Sequence, residues 1–110
     1  MTAKLKPSTV RVAESNPAAV DRYKDMRAAV MAIPEVDKMF CEILITCQLA
    51  TLGHEGAFKI HAQRLFQLNV SRERLEQFIL AGLGVTMVIP EVARTLDWIE
   101  QAHREHVAGQ

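Results

Sequence analysis

The chain is short of most features that announce a function. Its 110 residues include only two cysteines (Cys41 and Cys47), one tryptophan, one tyrosine and four phenylalanines. Neither sign of charge is in excess, with 13 basic residues against 13 acidic ones. That balance lacks the electrostatic footprint of a nucleic-acid or anionic-membrane binder, so neither partner is expected. No apolar run approaches the ~20 residues needed to span a bilayer. Lys4, Lys6 and Arg11 precede no apolar segment, so the start of the chain does not read as a secretory signal, and a cytoplasmic protein is expected. The two cysteines are separated by about 600° of helix rotation, roughly 120° off a common face, which argues against an intrahelical disulfide. Phosphate loops, nucleophile elbows, zinc signatures, repeats and low-complexity tracts are all missing.

What is present suits helices. The chain is 49 % hydrophobic, drawn mainly from Leu, Ile, Val, Ala and Met rather than the aromatics that fill barrels and sandwiches. Its length fits one domain. Residues 1–18 hold Pro7 and Pro17 without a sustained period and read as a flexible N-terminal arm. The domain, 19–110, divides into about five helices. The first runs from Ala18 to Pro34 and the second from Pro34 to Leu52, with an inner stripe of Met39, Phe40, Ile43, Leu44, Cys47 and Ala50. Ile45 and Leu49 lie off that stripe, so this helix is either central or covered by another copy. After Gly53 comes a third helix from His54 to Leu68, with Lys59, Gln63 and Arg64 facing outward. Asn69 suits a left-handed terminator and Ser71 a cap for a fourth helix, Arg72 to Leu83. A last helix opens at Pro90 and frays after His106. The expectation is an all-α, homo-oligomeric domain.

The stretch from Glu42 to His61 holds most of the chemistry. A glutamate and two histidines there can move protons. His54 and His61 share a helix face about 10.5 Å apart along the axis, too far to bind one metal together from a straight helix. Gly56 and Ala57 between them leave room for a small molecule. The alternatives are plain. His61 also reads as a hydrogen-bonded core histidine, His54 as a solvated residue at a helix start, and Glu42 as a solvated or ion-paired carboxylate. Buried among Phe40, Ile43 and Leu44, Glu42 needs a partner. Cys47 reads as packing, and His103 and His106 as surface residues.

The run ITCQLATLGHEGAFKIHAQRLFQLNVSRERLEQFI carries Gly53, Glu55, His61, Asn69, Val70, Ser71 and Glu73. In that order and spacing it resembles the carboxymuconolactone decarboxylase family, whose fold is shared with the AhpD-like alkylhydroperoxidases. The likeness spans about residues 20–100 and is strongest over 47–80. It implies an AhpD-like helical fold, a homo-oligomer such as a trimer or hexamer, and no cofactor or metal. The redox branch has a Glu, two cysteines three apart, and a His four further on. Here Glu42 and His61 fill the outer positions, while His54 and Ala57 stand where the thiols would be, so thiol peroxidase chemistry is lost.

The non-redox branch implies proton transfer by the histidine during loss of carbon dioxide from a lactone acid. His61 would be the general acid/base, oriented by Glu42, with His54 binding or protonating the substrate. Two departures point to a more apolar small molecule. Ala57 replaces an acid common four residues before the His, and AGLGVTMVIP is more apolar than its usual counterpart. A non-catalytic ligand carrier or scaffold of the same fold is the alternative, and a metal held by Glu42 and His61 is a third.

Overall fold

Local chemistry at the helix ends sets the architecture. The computed structural model describes residues 7–110, which form six helices and no strand. They are α1 (Ser8–Ser15), α2 (Pro17–Met31), α3 (Lys38–Leu52), α4 (Glu55–Gln67), α5 (Arg72–Leu80) and α6 (Ile89–Ala108). Residues 1–6 of the expected arm lie outside the described residues. The remainder of it contains α1, one helix more than the pattern suggested.

Asn16 accepts the N–H of Ala19, and Pro17 fills the first turn of α2, where its missing N–H costs nothing. Pro34 does not open α3. Asp37 does, by accepting the N–H of Met39 at 2.7 Å, so the helix starts at Lys38, four residues beyond its expected beginning. At the far end Gly53 adopts φ 77°, its N–H bonding to the Ala50 carbonyl and that of His54 to Leu49. This is a Schellman turn. Asn69 (φ 66°) and Val70 repeat it at the end of α4, bonding to the carbonyls of Phe66 and Leu65. The Ser71 hydroxyl then caps α5. That helix stops at Leu80 rather than Leu83, where Gly82 and Gly84 lead a tight turn that buries Met87.

The core lies around α4. Phe58, Ala62, Leu65 and Phe66 meet Val92, Trp98, Ile99 and Ala102 of α6, Leu75 and Ile79 of α5, and Ala50 of α3. Phe58, Leu65, Leu75 and Ile99 are fully buried, each contributing about 1.5–3 kcal/mol relative to exposure. Arg94 of α6 ties α3 to this body. Its guanidinium lies 4.5 Å from the Trp98 ring centre while Nη2 donates to the Ala50 carbonyl at 3.0 Å. The Ala50 carbonyl, already bonded to the Gly53 N–H, thereby gains a second partner from across the core.

The buried stripe of α3 differs from the expected one. Met39, Ile43, Cys47 and Ala50 face inward as the pattern suggested, but Phe40 and Leu44 are 72 % and 58 % exposed. Thr46 takes the inner place instead, because its hydroxyl is satisfied within the helix by the Glu42 carbonyl. Lys59 is also buried rather than outward, its amine 2.7 Å from Glu55. His103 and His106, expected at the surface, are half-buried against the Phe66 ring.

The α1–α2 pair stands off from this body. α1 and α2 pack on each other, and Val20 is the only buried residue of α2. The radius of gyration, 14.8 Å, exceeds the 13 Å or so typical of a closed 110-residue domain. Among the described residues no helix is long and apolar enough to cross a membrane.

Candidate active site

The gap between α2 and the α3–α4 hairpin is an open cleft of about 620 Å³. Antiparallel packing of α3 on α4 about the Gly53 turn places Glu42 and His61, 19 residues apart in sequence, side by side on its wall. Glu42 Oε1 is hydrogen-bonded to His61 Nδ1. The side chains are 13 % and 20 % exposed, so the pair is sheltered but open to the cleft on one side.

Burial on its own raises the Glu42 carboxyl. The His61 hydrogen bond and charge, then the Arg64 and Arg27 guanidiniums, outweigh that effect and hold it below its ordinary value of 4.5. Glu42 is therefore ionised at neutral pH, and a carboxylate only accepts. Nδ1 of His61 must carry the hydrogen. Nε2, with no protein partner among the described residues, is left as the base when the ring is neutral and as the acid when it is protonated.

The rest of the cleft falls into two parts. Met31, Ile45, Leu49, Ala57 and Ile60 make an apolar wall, and Lys24, Arg27 and Arg64 a cationic rim. The first turn of α1 closes one side.

Of the three residues singled out in the sequence, the structure brings two together. His54 is exposed at the start of α4, caps nothing with its side chain and does not line the cleft. The left-handed turn at Gly53 carries it past the hairpin's end. Ala57 does line the cleft, so the two positions that hold thiols in the redox branch are not equivalent here. Cys47 is half-buried, and burial pushes its thiol up, which keeps it protonated and inert at neutral pH. Among the described residues no group of three or more His, Cys, Asp or Glu is placed to hold a metal ion.

The cations of α2 were missed in the sequence reading. Lys24, Arg27, Ala28 and Met31 follow i, i+3, i+4, i+7 spacing, a cleft-facing stripe in hindsight. On a helix so rich in exposed charge, that spacing looks like an ordinary solvated face.

Comparison with protein-family models, with curated proteins and with solved structures returned no match.

Proposed function

We propose that this chain is an acid–base enzyme of the carboxymuconolactone decarboxylase type, a lyase or isomerase acting on a small organic acid or lactone. The observation that carries this reading is the Glu42–His61 pair, formed across two helices and left open to a cleft on one side.

In a decarboxylation, the C–C bond to the carboxylate breaks, carbon dioxide leaves, and the electron pair remains on the adjacent carbon. Protonated His61 delivers the Nε2 proton to that carbon and is then reprotonated from solvent. In an isomerisation, neutral His61 removes a proton next to a carbonyl and returns it elsewhere. Glu42 serves either course by fixing the ring and stabilising the imidazolium. His54 has no part in this mechanism.

Homo-oligomerisation belongs to the same proposal. Phe40, Leu44 and Leu52 leave α3 with an exposed apolar ridge, and Tyr23, Met26 and Val30 do the same on α2, with Ile33 exposed just beyond it. Such surface on a small domain is suited to a second copy.

The test is solvent deuterium incorporation into a panel of small carboxylic acids and lactones, followed by NMR. Exchange or carbon dioxide release by the wild type, lost in His61→Gln, is expected. Undiminished turnover by His61→Gln would end the assignment. A second reading, a non-catalytic ligand carrier, is favoured by the exposure of His54 and predicts binding without exchange for every compound in the panel.

A further inference from the structure

The cationic rim does not follow from acid–base chemistry, which needs only Glu42 and His61. Lys24 and Arg27 come from α2 and Arg64 from α4, and all three line the same cleft. Among the described residues none of them has a carboxylate within ion-pair distance. The acids beside them on α2, Asp21 and Asp25, do not line the cleft. Glu42 is the one acid that does, and its charge is engaged by His61. Among the described residues the cleft therefore holds three cations against one committed anion. Arg27 is half-buried, whereas Lys24 and Arg64 are exposed. Both arginines line the same cleft as Glu42 and His61, and their charge helps to hold the Glu42 carboxyl below its ordinary value.

An array of like charge around an open, partly apolar space has little structural use, because the cations repel one another and lower stability. Its charge is balanced when an oxyanion enters. Arginine suits that task, since its planar fork takes two oxygens of a carboxylate or phosphate at once. The adjoining wall of Met31, Ile45, Leu49 and Ile60 accepts an apolar body.

We propose that Arg27 and Arg64, with Lys24 at the outer rim, form an oxyanion-recognition subsite that makes α2 the specificity element of the cleft. The substrate is then an amphiphile, with an anionic group on the arginines and a short apolar body along α3 and α4. Its reacting carbon is delivered to His61. This deepens the acid–base reading and rests on it for the last point only.

The experiment is titration calorimetry on the full chain with hexanoate, hexyl phosphate, hexanol and hexylamine as probes. Hexanoate or hexyl phosphate is expected to bind roughly 10-fold or more tightly than hexanol, with hexylamine weaker still. The stronger of the two anions shows which oxyanion the site takes. Raising the salt concentration should weaken anion binding and leave hexanol unaffected. Arg27→Gln and Arg64→Gln, checked for helix content by circular dichroism, should each remove most of the difference between anion and alcohol, and Arg27→Lys should restore part of it.

Equal affinity for hexanoate, hexyl phosphate and hexanol, or anion binding unchanged in both glutamine variants, overturns the subsite. The two readings fail separately. Arginine-dependent binding with no His61-dependent exchange in any compound leaves the subsite standing and removes the enzyme, whereas His61-dependent exchange indifferent to substrate charge does the reverse.

Discussion

Glu42→Gln is the most informative single perturbation, because it keeps the shape of the side chain and removes only its charge. The amide oxygen can still accept from His61 Nδ1, so the contact survives as a neutral hydrogen bond. A charge-assisted bond contributes about 1.5–3 kcal/mol and a neutral one about 1 kcal/mol, which leaves a deficit of about 0.5–2 kcal/mol at neutral pH. Partial burial of both partners, 13 % and 20 % exposed, keeps screening from erasing it. In a domain of this size the deficit corresponds to a drop in Tm of roughly 2–15 °C.

The pH dependence separates charge from shape. Glu42 has a folded-state value below its ordinary 4.5, so its stabilisation is fully present above 4.5 and is lost as pH falls through the folded-state value. The wild type should therefore descend toward the variant in acid, and the gap between them should close. Urea unfolding followed by circular dichroism at neutral pH and at about pH 3 measures both gaps. A gap of equal size at the two pH values would refute an electrostatic origin, and no gap at neutral pH would refute the pair's contribution altogether.

Other consequences are as direct. Arg94→Ala removes both the stacking on Trp98 and the bond to the Ala50 carbonyl and should destabilise by about 1–3 kcal/mol; Arg94→Lys, lacking the planar fork, should recover little of it in the same urea assay. Asn69→Ala, at φ 66°, should cost about 1 kcal/mol, while Asn69→Gly should be neutral or stabilising, read as shifts in Tm. Phe40→Glu combined with Leu44→Glu should leave helix content intact and turn an assembly into monomers by light scattering, since both side chains are largely exposed within one chain. Cys47 should react with a maleimide far more slowly in the folded protein than in urea, because burial keeps it a thiol.

The parts of the fold that were legible in the sequence are those decided by a single residue's own chemistry. Gly53 was readable as a helix break, Asn69 as a left-handed terminator and Ser71 as a cap because each acts on backbone groups within a few residues of itself. The start of α3 was misread where two local signals competed: Pro34 suited a first turn, but the carboxylate of Asp37 reaches an unpaired N–H and so sets the boundary. The buried face of α3 was harder. A helix apolar over more than one face carries little phase in its pattern, and Thr46, polar by type, is buried because its hydroxyl bonds within its own helix. Lys59 misled for a similar reason, as Glu55 one turn earlier takes its charge. In the site, the pairing of Glu42 with His61 came from resemblance rather than periodicity. The contribution of α2 was invisible, since charges that line a cleft and charges that face water have the same spacing.

The loose seat of α2 gives the cleft an unusual division of labour. The Glu42–His61 pair stands on α3 and α4, locked to the core by Phe58 and the Arg94 clamp, whereas two of the three rim cations stand on a helix with one buried residue, Val20. Residues 32–37, exposed throughout, join the two parts. Substitutions along α2 thus have almost no core to disturb, and the charge or reach of the rim can change while the Glu42–His61 geometry stays fixed. On the proposed function, selection on such a chain can trade one small ligand for another by rewriting a single peripheral helix, with the α3–α4 hairpin carried unchanged from one specificity to the next.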